Sequence, residues 1–246
     1  MTEMAAAGIH GDERNMDRAS IALELAAVLS LFALSLAAFP LTRIMEGGVL
    51  AQLYPFVRMG AFLLLVTWLL RRRGQSWRDL GLKLPRWAPA ILAVVLGYVA
   101  VVAMMVLVVV PTIRALGISY GTPPALAYLE GNGAALAYWL AVSWLAAAFG
   151  EELLARGWLL DGIERLMGSH RTLAVATAVI GQALLFGVGH AWNGVGGMIV
   201  ASAVGLVLGL AYLVGGRNLW PVILVHGLLD SQSFLAIYAG VAPGPA

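Results

Sequence analysis

Three short groups of ionisable residues interrupt the apolar runs of this chain: Glu151 and Glu152 with Arg156, Phe186 with His190, and His226 with Asp230. A charged side chain near a bilayer centre costs about 3 kcal/mol on insertion scales, so such groups normally face a partner or a wet cavity. Glu152 and Arg156 are four residues apart with the acid on the N-terminal side, the favourable orientation for a helical ion pair, so Arg156 is expected to neutralise Glu152. Glu151 then lies about 100° around the helix and is free to face the bundle interior. Phe186 and His190 share a face by the same four-residue rule, as do His226 and Asp230, with Ser233 close to their stripe. A carboxylate without a partner and two histidines suit the activation of water. Glu151 is the expected general base, His190 orients the water or shares its proton, and His226 with Asp230 stabilises a developing oxyanion.

Other chemistries lack their signatures. No serine stands in a Gly-x-Ser-x-Gly context and no His-Glu-x-x-His occurs. The absence of cysteine removes disulfides, thiolate metal sites and cysteine nucleophiles. Glu151, His190, His226 and Asp230 are acceptable zinc ligands, so a divalent metal is compatible with the sequence, although the water-activating mechanism does not require one.

The elements that must carry these residues are membrane helices. The chain has 246 residues, of which 61% are hydrophobic and 11% charged, and its mean hydropathy is +0.88. Spans are predicted at roughly 20–39, 50–70, 88–110, 134–155, 172–190, 196–214 and 219–238. All must be helical, because lipid cannot satisfy free backbone groups. The expected fold is an all-α polytopic bundle of about seven transmembrane helices. A polar tail, 1–19, carrying His10, Asp12, Glu13, Arg14 and Asp17, precedes a single membrane domain over 20–240 and reads as no cleaved signal peptide.

Arg71, Arg72, Arg73, Arg78, Lys83 and Arg86 follow the second span, and the positive-inside rule places them in the cytoplasm together with the N-terminus. The turns at Glu164, Arg165, His170 and Arg171 and at Arg217 fall on the same side, and the Pro/Gly-rich stretch 111–133 falls outside. A net charge of +2 gives no reason to expect nucleic acid. Gly194, Gly196, Gly197, Gly205 and Gly209 are expected to allow close helix packing. Arg58, in the second span, is expected to snorkel toward the outer surface.

Depth raises one difficulty. Glu151 and His190 lie at similar counts from the turn near Gly168 and can meet, whereas upright helices would leave His226 roughly 15 Å lower. Tilt, a broken helix or protrusion of 156–167 must close that gap.

The ordered motifs Glu-Glu-x-x-x-Arg at 151–156, Phe-x-x-x-His at 186–190 and His-x-x-x-Asp at 226–230 resemble the CPBP family of intramembrane proteases. That family includes the type II CAAX prenyl endopeptidases, the Rce1 type, and bacterial Abi bacteriocin-immunity proteins. Arg156-Gly157 and the run Asn218-Leu219-Trp220-Pro221 before His226 are similar too, and the resemblance extends over about 134–238. It implies an intramembrane endopeptidase with Glu151 as catalytic acid, His190 as its histidine and His226 with Asp230 at the oxyanion; a metal is part of the family's usual label. Two positions depart: Asp230 stands where the prenyl proteases carry Asn, and Leu154 where many relatives carry Phe. An ionised Asp cannot donate to an oxyanion, so Asp230 must be protonated, orient His226 or help hold a metal.

The resulting expectation is hydrolysis of a membrane-embedded or lipid-linked peptide, in a bacterial cytoplasmic membrane, with membrane lipid and an apolar or lipidated peptide as partners. The competing expectations are a non-catalytic scaffold or bacteriocin-immunity factor, and a small transporter with a carboxylate/histidine proton relay.

Overall fold

The computed structural model describes residues 2–38, 48–168 and 172–242, with side chains from Arg18 onward. His170, Arg171 and the side chains of His10, Asp12, Glu13, Arg14 and Asp17 lie outside the described residues. The fold is all-α. Its seven principal helices are α1 (Thr2–Ala37), α2 (Val49–Arg72), α3 (Trp87–Ala115), α4 (Gly133–Met167), α5 (Thr172–Gly189), α6 (Gly194–Val214) and α7 (Leu219–Tyr238). Each contains a segment long and apolar enough to cross a membrane, beginning at Arg18 in α1. Their outer faces present Leu64, Leu107, Leu173 and Val214 bare, as lipid contact requires. This is an integral membrane protein.

Local chemistry sets the helix ends. Asn132 caps α4 by accepting from the Ala135 amide at 3.1 Å. Gly168 closes that helix in the left-handed conformation at φ 99°. Asn218 caps α7 by accepting from the Trp220 amide at 3.0 Å, and Pro221 falls in the first turn, where its missing N–H has no intrahelical acceptor to lose. In α3 the wide i→i+5 turns of Met105–Val109 end two residues before Pro111, whose ring cannot complete an α-helical rung.

The core joins two regions. Leu160, Ala178, Leu208 and Leu219 anchor one, among α4 to α7, and Ile21, Val66, Leu70 and Trp158 anchor the other, where α1 and α2 meet α4. Small residues bring α5 and α6 together. A Cβ on Gly205 would stand 3.1 Å from the Ala183 Cα, and one on Gly209 would stand 2.6 Å from the Gln182 Nε2. Gly194 departs from the packing expectation: no atom lies within 4 Å of its would-be Cβ, and its φ of 71° is the reason for glycine.

The basic loop after α2 docks under the bundle. The Leu219 amide donates to the Gly81 carbonyl at 3.1 Å, Asn218 Nδ2 to the Lys83 carbonyl at 3.0 Å, and the Tyr212 hydroxyl to the Leu80 carbonyl at 3.0 Å. At the same end Arg73 pairs with Glu24, Arg217 with Glu164 at 2.7 Å, and Arg165 with Asp161 at 2.6 Å. The Glu164 carboxylate holds the Arg217 guanidinium above its usual value. At the opposite end the Gly131 amide donates to the Tyr238 carbonyl at 3.0 Å.

Candidate active site

The central stretch of α4 is not α-helical. Val142–Glu151 and Leu153–Leu159 wind in i→i+5 turns on either side of Glu152. Such turns are wider than α-helical ones, are scarce, and concentrate at functional sites. They place more residues per unit rise, which shortens the climb from Gly168 to Glu152. The depth gap predicted for His226 is closed: its Nδ1 lies 2.8 Å from Glu152 Oε1. Glycine allows the approach, since a Cβ on Gly227, one residue beyond His226, would stand 2.6 Å from the Trp144 ring.

Glu152 and Arg156 form the expected ion pair, at 2.6 Å with both side chains fully buried. The same Glu152 oxygen takes His226, so one carboxylate oxygen orders residues from two helices. Arg156 also donates from Nη2 to the Gly205 carbonyl at 3.3 Å and stacks its guanidinium 4.5 Å from the centroid of Phe186. The Phe186 ring touches both imidazoles, at 4.8 Å from His190 and 5.9 Å, edge-on, from His226. Its place in the Phe-x-x-x-His motif is thereby explained: it packs the two histidines and the arginine around one aromatic face.

His190 lies one residue beyond the end of α5, at the boundary predicted for that span. Its Nδ1 donates to the Phe186 carbonyl at 2.8 Å, closing the helix end. A carbonyl only accepts, so Nδ1 carries the proton and Nε2 keeps its lone pair when the ring is neutral.

Glu151 and His190 line one cavity of about 120 Å³, bounded by α1, α2, α4 and α5. Its other walls are mostly apolar, among them Val28, Phe32, Met59, Phe62 and Trp158. The Glu151 Oε2 is buried without a hydrogen-bond partner. Arg58 lines the same cavity from α2, about 14 Å along the helix from Val49, and its Nε is buried there.

His226 and Asp230 are not among the cavity walls. The His226 Nε2 is 3.6 Å from Asp230 Oδ2, beyond hydrogen-bond range. Asp230 instead accepts from the Ser143 hydroxyl at 3.0 Å. Ser233 is exposed and turns back to the Leu229 carbonyl at 3.0 Å, away from the group. Among the described residues no three His, Asp or Glu side chains stand together in a geometry that holds a metal ion. Glu151, His190, His226 and Asp230 therefore do not converge as one zinc ligand set.

Ser143 and Gln182 escape a reading by motif. Gln182 is fully buried and its Nε2 is pinned by the Gly205 carbonyl at 2.9 Å and the Val179 carbonyl at 3.0 Å. The signal for both is a polar side chain inside an otherwise apolar span, the criterion that singled out the acids.

Residues 133–231 match the family model described as type II CAAX prenyl endopeptidase Rce1-like. Over that stretch the chain is similar to the Rce1-like family. The matched stretch begins with α4 and ends one residue beyond Asp230, so it contains all three motifs of this Rce1-like region. That similarity supports protease activity at the level of the family. No curated protein and no solved structure matches the chain.

Proposed function

We propose that the protein is an intramembrane endopeptidase that hydrolyses a peptide bond of a membrane-embedded or lipid-linked peptide with a water activated by Glu151 and His190. The observation that carries this reading is the Glu151 carboxylate, whose Oε2 has no partner, on the wall of an apolar cavity shared with His190. A buried acid held only for structure would be paired, as Glu152 is.

A water between Glu151 and the His190 Nε2 has both protons engaged and an oxygen lone pair free for a carbonyl. Glu151 takes one proton as the C–O bond forms, and the carbonyl electrons move onto oxygen. His226 donates its Nδ1–H to Glu152, which leaves Nε2, when the ring carries a second proton, as the nitrogen for the oxyanion of a carbonyl that reaches past the cavity wall toward it. Glu151 then returns its proton to the leaving amine nitrogen as the C–N bond breaks. Asp230 accepts from Ser143 and flanks the Nε2 edge of His226, an orienting role that needs no proton on the carboxylate.

In this reading the basic end, with Arg73, Lys83, Arg165 and Arg217, faces the cytoplasm of a bacterial inner membrane. The chain has no cysteine, so single introduced cysteines report topology without background. Labelling at position 78 from outside an intact cell would overturn the orientation.

The decisive experiment incubates purified full-length protein in nanodiscs with a library of membrane-spanning peptides and reads cleavage by mass spectrometry. Defined cleavage by the wild type that Glu151→Gln loses supports the reading. Cleavage that persists in Glu151→Gln removes it.

A further inference from the structure

Arg58 is the basic side chain on the wall of the Glu151 cavity, and it comes from α2, outside the matched stretch 133–231. Its Nε is buried without a hydrogen-bond partner, and among the described residues it forms no ion pair. Every other arginine deep in the bundle is matched: Arg156 has Glu152, the Gly205 carbonyl and the Phe186 face. A guanidinium presents five donors in a fixed plane and cannot shed its charge, so an unmatched one inside a membrane awaits an acceptor. Glu151, on the same wall, has a buried Oε2 without a partner as well, and no ion pair joins the two. Apart from His190 and Gln182, whose Nε2 is held by the Gly205 and Val179 carbonyls, the remaining walls, including Val28, Phe32, Met59, Phe62 and Trp158, are apolar or aromatic.

A ligand that complements this cavity combines an apolar body with one anionic group. We propose that Arg58 is a specificity-determining residue that binds a carboxylate of the substrate peptide and so registers the scissile bond against Glu151. The inference rests on the peptidase reading for the reaction but not for the binding. A planar carboxylate suits the guanidinium fork bidentately. Pairing there also leaves Glu151 unneutralised and able to take the proton of water. The carboxylate is supplied either by the free C-terminus of the peptide or by an Asp or Glu side chain near the scissile bond.

Three otherwise identical apolar peptides separate these sources: one with a free C-terminus and no acidic residue, one amidated with an internal Asp, and one amidated without acid. Full-length protein in nanodiscs, as wild type, Arg58→Gln and Arg58→Lys, is assayed for kcat and KM on each. The expected result is that one or both carboxylate peptides exceed the neutral one in kcat/KM by roughly 10- to 100-fold, the range of a charge-assisted hydrogen bond. Arg58→Gln removes that preference, mainly through KM, and Arg58→Lys keeps much of it. A preference that survives Arg58→Gln, or a wild type indifferent to the carboxylate, overturns the inference while leaving the peptidase reading intact.

Binding of fluorophore-labelled versions of the same peptides to Glu151→Gln protein, with and without Arg58→Gln, is read in parallel. Carboxylate-selective binding that Arg58→Gln abolishes, without cleavage of any peptide by the wild type, sinks the peptidase reading and sustains the role of Arg58. Binding equal for all three peptides overturns it.

Discussion

Glu152 Oε1 lies 2.8 Å from His226 Nδ1, across 74 positions of sequence, and 2.6 Å from Arg156 Nη1. That one oxygen links the first and third motifs. It makes Glu152 more than the anionic half of an ion pair, because the carboxylate that balances Arg156 also sets which nitrogen of His226 carries its proton.

Glu152→Gln is accordingly expected to lower both stability and turnover. Removing one member of a buried ionic group costs about 3 to 5 kcal/mol, because the other charge is left uncompensated. Thermal unfolding in detergent reads the first effect and peptide cleavage the second. A Glu152→Gln protein with wild-type thermal stability would show that the Glu152 carboxylate does not hold α4 to α7.

Glu151→Gln and His190→Ala should behave differently. Glu151 is bound to no partner through its buried Oε2, and His190 closes a helix end by one bond, so neither substitution removes a core ion pair. Both are expected to abolish cleavage while leaving the unfolding midpoint near that of the wild type. Normal turnover in either would end the proposed mechanism.

Ser143→Ala tests the support of Asp230. One hydrogen bond to a carboxylate is lost, with a net worth of about 1.5 to 3 kcal/mol. If Asp230 orients His226, kcat falls by roughly 10-fold or more with KM little changed. An unchanged kcat would place Asp230 outside the reaction.

Gly227→Ala probes the close approach of α7 to α4. The new methyl would stand 2.6 Å from the Trp144 ring, so the helices must part or the indole must turn. Overpacking of this kind costs about 1 to 3 kcal/mol, and the shift reaches His226, the adjacent residue. Lower stability together with reduced kcat is expected. Full activity would mean that the register of α7 is not what places the histidine.

A chelator should leave turnover unchanged, since the four candidate ligands do not converge on one point. Loss of cleavage on chelation, restored by added zinc, would require these side chains to regroup around an ion in the working enzyme.

Much of this was legible before any coordinate. Runs of about 20 apolar residues can only be helices in lipid, and the cost of buried charge makes an acid in such a run conspicuous. The i,i+4 rule correctly paired Glu152 with Arg156, because that contact lies within one turn of one helix. Where the neighbour came from another helix, local rules failed: Arg58 reaches the Glu151 cavity, Ser143 meets Asp230, and Ser233 does not.

The sequence by itself determined seven apolar spans, the ionisable residues within them and the pairing of Glu152 with Arg156. Only the tertiary structure decided that His226 rises to Glu152, that Phe186 packs both imidazoles, and that the cavity belongs to Glu151, His190 and Arg58. The physical reason is that helix periodicity encodes the angle of a side chain about its own axis, whereas depth and partner depend on local pitch and on how closely glycines let helices approach. The wide turns around Glu152 and the close contact at Gly227 set those quantities here, and neither has a repeat that the sequence displays.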